Sequence, residues 1–196
     1  MTFRCCASLV AASLLLAGLA ACSGSAQWRT TDITGVMPDL AFTLTSETGA
    51  TVHADDFRGK VKVLFFGYTH CPDICPITLG HLAAALRTMG ADAKQVRVLF
   101  VSVDPKRDTP ALLEKYTDAF GPQFVGLTGT QEQLRELTKR YRVAYSYGPP
   151  DENGNYLVNH GSAIFVFDRQ GHVRLLMNRS DPTKAIAHDL ELLVNE

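Results

Sequence analysis

Cys71-Pro72-Asp73-Ile74-Cys75 is the segment of this chain whose residue types and spacing most plainly allow chemistry. Thiolates attack disulfides and bind soft metals, and both reactions need the sulfur deprotonated. A disulfide across so short a loop removes little chain entropy and would be a poor staple. The pair therefore reads as redox-active or metal-binding. Its gap is one residue longer than the common redox Cys-x-x-Cys spacing, which lets both sulfurs point at a shared third object. Two soft thiolates with one imidazole suit monovalent copper in low coordination. They suit zinc less well, because zinc takes four ligands or keeps an open catalytic position.

Six histidines could supply that imidazole. His53 sits on an early hairpin and His172 follows a turn glycine, so both favour solvent. His70 adjoins Cys71 too closely along the chain to chelate comfortably beside it. His81 lies two turns past Cys75 in a helix and could face either way. His188 belongs to a closing helix. His160 precedes Gly161-Ser162 and a central strand, in a loop that the sheet can bring beside the first helix. On residues alone it is a candidate ligand set against an ordinary hydrogen-bonded loop histidine.

The elements that must hold these groups are legible as hydrophobic patterns. Val61–Phe66 and Val96–Val103 are nearly continuous apolar runs, as expected of central strands covered on both faces. Between them, Leu79, Leu82, Ala83 and Leu86 make a helical stripe over 76–89, giving a βαβ unit. The cysteines then lie where the first strand ends and the helix begins, the usual ligand-binding end of an open α/β sheet. Amides at the helix start favour thiolate over thiol there. Thr51–His53 pairs with the segment from Phe42 around a Glu47-Thr48-Gly49 turn. Thr109 caps a second helix with Pro110 at its first position, and Thr130 caps a third carrying Leu134, Leu137 and Tyr141. Phe124–Leu127, Ala163–Phe167 and His172–Met177 read as strands, the last two joined by Asp168–Gly171. A closing helix follows Asp181 as cap, and the turn-rich stretch 147–157 reads as an exposed hairpin or loop. The expected fold is α/β, a mixed sheet between helices.

The 196 residues are 46% hydrophobic and 20% charged, with net charge −1, which excludes disorder and leaves no basic nucleic-acid footprint. Arg4, the apolar stretch from Cys5 to Cys22 and its small-residue end describe a secretory signal. Leu19-Ala20-Ala21-Cys22 resembles the lipobox of bacterial lipoproteins, which implies cleavage of residues 1–21 and lipidation of Cys22. The other reading is an uncleaved single transmembrane anchor. Either places the domain outside the cytoplasm and tethered to a membrane, on the periplasmic face if the lipobox reading holds. Residues 22–36 read as a linker and 37–196 as the domain. With Cys5 and Cys6 removed and Cys22 acylated, only Cys71 and Cys75 of the five cysteines remain as thiols.

Three blocks together carry a family resemblance: Tyr68-Thr-His-Cys-Pro-Asp-Ile-Cys-Pro76, Phe100-Val-Ser-Val-Asp-Pro-Lys-Arg-Asp-Thr-Pro110 and Val158-Asn-His-Gly161. In this order and spacing they resemble the signatures of the Sco family (SCO1/SenC, also called PrrC), over essentially all of 37–196. The resemblance implies a thioredoxin-like three-layer α/β/α sandwich with an inserted hairpin, matching 147–157. It implies copper, as Cu(I) or Cu(II), held by Cys71, Cys75 and His160. It also implies delivery of copper to the dinuclear centre of cytochrome c oxidase subunit II, or reduction of that centre's cysteines. Asp104 matches the Asp of the family's Asp-Pro signature, a residue near the metal or at a docking face. Its plainer reading is a cap on the loop before Pro105, with Arg107 and Asp108 pairing on the surface.

Two enzyme classes compete with a copper chaperone. A thiol–disulfide oxidoreductase would use Cys71 as the exposed attacking thiol and Cys75 as the resolving one, the two forming a disulfide when oxidised. Thioredoxin-like reductases carry a proline just before the strand facing the pair, where this chain has Ser162. A thiol peroxidase would need a single activated cysteine with Arg and Thr nearby.

Overall fold

The two apolar runs become the middle of the sheet because every residue in them except Arg97 is buried. The computed structural model describes residues 27–196. Its strands are β1 (Thr31–Asp32), β2 (Thr43–Ser46), β3 (Thr51–His53), β4 (Val61–Gly67), β5 (Val96–Ser102), β6 (Phe124–Thr128), β7 (Tyr145–Tyr147), β8 (Val158–His160), β9 (Ile164–Phe167) and β10 (Val173–Met177). The α-helices are α1 (Ile74–Met89), α2 (Pro110–Asp118), α3 (Gln131–Arg140) and α4 (Thr183–Val194). Eight strands form one sheet in the order β1-β10-β9-β4-β5-β6-β2-β3, and β7 and β8 form a separate two-stranded hairpin. β4, β5 and β6 run parallel, while β9 and β10 run antiparallel to their neighbours.

Phe65 of β4 pairs with Phe100 of β5 and Ile164 of β9, and these share one face of the sheet. α1 covers that face and packs against α4. Phe165 and Phe167 point to the other face, where Tyr141 at the end of α3 stacks on both rings. The result is the expected three-layer α/β/α sandwich with a mixed sheet. Phe65, Phe66, Leu99, Phe100, Phe167 and Leu79 are all fully buried, each stabilising the fold by roughly 1.5–3 kcal/mol. Thr109 and Thr130 cap α2 and α3 as their sequence positions indicate, accepting from the N–H groups of Leu112 and Gln133.

Two local expectations differ. Asp181 does not cap α4, which begins after Pro182; its carboxylate instead accepts from the Asn178 N–H and side-chain amide, closing the preceding turn. Residues 28–33, assigned to a linker on composition, are docked on the domain. β1 adds to the sheet edge at β10, and the buried Asp189 of α4 accepts from the N–H groups of Arg29 and Thr30 and the Thr30 hydroxyl. A buried carboxylate needs such donors, and this short polar segment supplies them. Cys22 and the signal segment 1–21 lie outside the described residues. Among the described residues no helix is long and apolar enough to cross a membrane.

Candidate metal centre

The cysteine loop begins at the carboxyl end of β4, and its second cysteine lies inside the first turn of α1. Cys75 is fully buried and Cys71 is partly exposed; neither is in a disulfide. The Cys75 N–H, one of the free donors at the helix start, points at Cys71 Sγ at 3.4 Å. Burial dominates at Cys75 itself and pushes its thiol well above its ordinary value. The helix terminus therefore does not make Cys75 a free thiolate, contrary to the expectation from its position. A metal that replaces the proton would hold Cys75 as a bound thiolate instead.

Close packing around Cys75 explains Gly67, which sequence reading overlooked. A Cβ at Gly67 would lie 2.9 Å from Cys75 Sγ and 2.6 Å from Phe100 Cε2. Only a residue without a side chain lets the buried sulfur sit against the end of β4. A glycine closing an apolar strand just before the cysteine loop was the available signal.

His160 ends β8, and the hairpin brings it over the loop. Its Nε2 lies 3.3 Å from Cys75 Sγ. Its Nδ1–H donates to the Gly161 carbonyl at 2.9 Å, so the Nε2 lone pair faces the sulfurs. Burial holds the imidazole below its ordinary value, partly offset by that carbonyl, and so keeps it neutral. The rings of Phe65 and Tyr68 meet it edge-on at 6.1 and 6.0 Å. The donor atoms of Cys71, Cys75 and His160 all lie within 4.8 Å of one another, the only such group of three among the described residues. Two sulfurs and one neutral imidazole nitrogen, converging at the mouth of a cleft, are a soft, low-coordinate donor set that fits copper.

The other histidines stand apart from this group. His53, His70 and His172 are exposed, His81 is half-buried on α1, and His188 pairs with Asp189. Ser162 lines the same cleft of about 310 Å³ as Cys71, Pro72, Ile74 and His160.

Asp104 is buried and is no donor to the triad. It pairs with Arg107, and its Oδ1 accepts from the Tyr156 hydroxyl at 2.8 Å. The surface pairing of Arg107 with Asp108 does not occur. Asp108 is itself buried and turns to the cysteine loop, accepting from the Thr69 N–H at 2.9 Å and the Thr69 hydroxyl at 2.6 Å. Its partner lies 39 positions away, so no local pattern exposes the role.

The SCO1/SenC family model matches residues 35–195. The mitochondrial SCO2 homolog of Mus musculus is 36% identical over 190 residues, 93% of this chain and 74% of that protein. A SCO2-like protein of Rickettsia felis is 33% identical over 131 residues, 66% of this chain and 64% of its own length. Among solved structures, that of Bradyrhizobium japonicum ScoI with copper bound aligns with TM-score 0.72 at 37% identity, covering 79% of this chain and 98% of that one.

Proposed function

This chain belongs to the SCO1/SenC family, and from that premise we propose that it is a membrane-tethered copper chaperone. Copper is its cargo, held by Cys71, Cys75 and His160. The acceptor is the dinuclear copper centre of cytochrome c oxidase subunit II, which the family resemblance implies. The observation that carries the reading is the convergence of both sulfurs and the Nε2 lone pair within 4.8 Å. The copper bound in the similar ScoI of Bradyrhizobium japonicum supports it. Residues 1–21 act as a lipoprotein signal and Cys22 as the lipidated tether to the periplasmic face of a bacterial membrane; a single transmembrane anchor is the other form of tether.

The donors divide the work of holding and releasing the metal. Buried Cys75 is the deep ligand, fixed against Gly67 and Phe100. Cys71, partly exposed, is the ligand an incoming thiolate from the acceptor reaches first, so exchange proceeds from its side. His160 arrives already neutral and oriented, its Nδ1–H donating to the Gly161 carbonyl. Binding releases both thiol protons, so affinity falls in acid. Oxidation to the Cys71–Cys75 disulfide abolishes binding.

Metal analysis of the reduced protein tests this. Wild type should hold stoichiometric copper, Cys71→Ser and Cys75→Ser none, and His160→Ala less. Stoichiometric copper in the double serine variant would refute the reading. A second reading, thiol–disulfide oxidoreductase acting on that same centre or in redox signalling, is favoured by the unequal exposure of Cys71 and Cys75. Disulfide turnover unchanged by His160→Ala would support it.

A further inference from the structure

The donor set comes from segments far apart in sequence, and both arms rest on the turn between β5 and α2. On the thiol side, the two oxygens of Asp108 share the work. Oδ2 accepts from the Thr69 N–H at 2.9 Å and the Ser102 hydroxyl at 2.6 Å. Oδ1 accepts from the Thr69 hydroxyl at 2.6 Å and lies 3.4 Å from His70 Nδ1. Thr69 and His70 are the two residues before Cys71, so the approach to the first sulfur is tied down by a buried carboxylate. Both of its oxygens meet donors, and an amide could not satisfy them, since its NH2 would face a donor.

On the imidazole side, the β7–β8 hairpin is held to the same turn. Tyr156, four residues before His160, donates its hydroxyl to Asp104 and lies under the Arg107 guanidinium, 3.6 Å from the ring centroid. Tyr147 donates to the Val103 carbonyl at 2.7 Å. β7 and β8 belong to a sheet of their own, so the main sheet's strand pairing does not fix where the hairpin sits. These side-chain contacts do, together with those that Tyr145 and Tyr147 make to Gln131 of α3.

We propose that the turn 102–108 is the common support of the donor set, with Asp108 positioning the cysteine arm and Tyr156, seated on Asp104 and Arg107, positioning the histidine arm. The proposal rests on the copper reading for its effect on the metal, and on this geometry alone for the separateness of the two arms. Asp108 and Tyr156 are positioning residues, because neither offers an atom to the triad.

The test uses Thr69→Val and Tyr156→Leu. Thr69→Val removes one donor to Asp108 and is gentler than Asp108→Asn, which would leave buried donors unpaired. In competition with a copper(I) chelator, each variant should weaken binding about tenfold, the low end for residues that orient metal ligands. Thr69→Ser should restore the affinity. In a His160→Ala background Tyr156→Leu should add no further loss, whereas Thr69→Val should keep its full loss. Tyr156→Leu weakening the His160→Ala protein as much as it weakens wild type would overturn the proposal, as would wild-type affinity in both single variants. Metal-free, reduced protein gives a second readout that survives failure of the copper reading. There, Thr69→Val should change the alkylation rate of Cys71 and leave the His160 ring resonances in place, and Tyr156→Leu should do the reverse. Both readouts moving together in either variant, or neither moving, would also overturn it.

Discussion

The opposite ends of β4 and β9 hold two polar clusters built to different ends. At the amino end of β4, buried Lys62 donates to the Asp168 carbonyl, and Asp168 Oδ1 accepts the N–H groups of Gln170, Gly171 and His172. There three turn N–H groups share one carboxylate oxygen, and the cluster closes the β9–β10 turn. At the carboxyl end, the Nε2 lone pair faces Cys75 Sγ, and Cys71 Sγ receives one N–H. There the ligand atoms of Cys71, Cys75 and His160 converge, with the buried Cys75 thiol still protonated against the Nε2 lone pair. The first cluster closes a turn of the fold; the second brings three potential ligand atoms to one point.

The comparison breaks most sharply at the cysteines. Serine at Cys71 or Cys75 should eliminate copper binding and leave the unfolding midpoint nearly unchanged, as read by metal analysis and urea titration. Gly67→Ala comes next, because it forces a Cβ onto Phe100 and Cys75. Overpacking of this kind costs roughly 1–3 kcal/mol, and copper affinity should fall with it. At the other end the pattern inverts. Asp168→Ala leaves turn N–H groups without their acceptor and should cost about 2 kcal/mol in urea unfolding, with copper stoichiometry intact. A loss of copper in that variant would erase the distinction between the two clusters.

The remaining expectation is a pH signature. Burial lowers Lys62 from 10.5 to about 8 in the folded protein. The folded state therefore releases this proton before the unfolded chain does. Its penalty is full below about pH 8 and shrinks as pH rises toward 10.5. Lys62→Met should be more stable than wild type at neutral pH, and the difference should narrow across that window. A constant difference would mean that Lys62 is not strained by its burial.

The sequence disclosed what is encoded locally and little of what is encoded at long range. The apolar runs of β4 and β5, the stripe of α1 and the caps at Thr109 and Thr130 all follow from neighbours a few residues apart. The cysteine pair was legible for the same reason. His160 was one of several open histidines until the family resemblance singled it out, because its place depends on Tyr147 and Tyr156 reaching Val103 and Asp104, 44 and 52 positions away. Asp108 was read as a surface partner of Arg107 because Thr69 is remote in sequence. The segment 28–33 looked like a linker because its anchor, Asp189, lies 159 positions from Thr30. Asp181 had the residue type of a cap, but Asn178 offered its carboxylate nearer donors.

X-ray absorption at the copper edge of the reduced, copper(I)-loaded protein tests the central claim most directly. The account predicts a shell of two sulfurs and one imidazole nitrogen, with the nitrogen contribution disappearing in His160→Ala while both sulfurs remain. A sulfur-only shell in wild type, unaltered by His160→Ala, would contradict it.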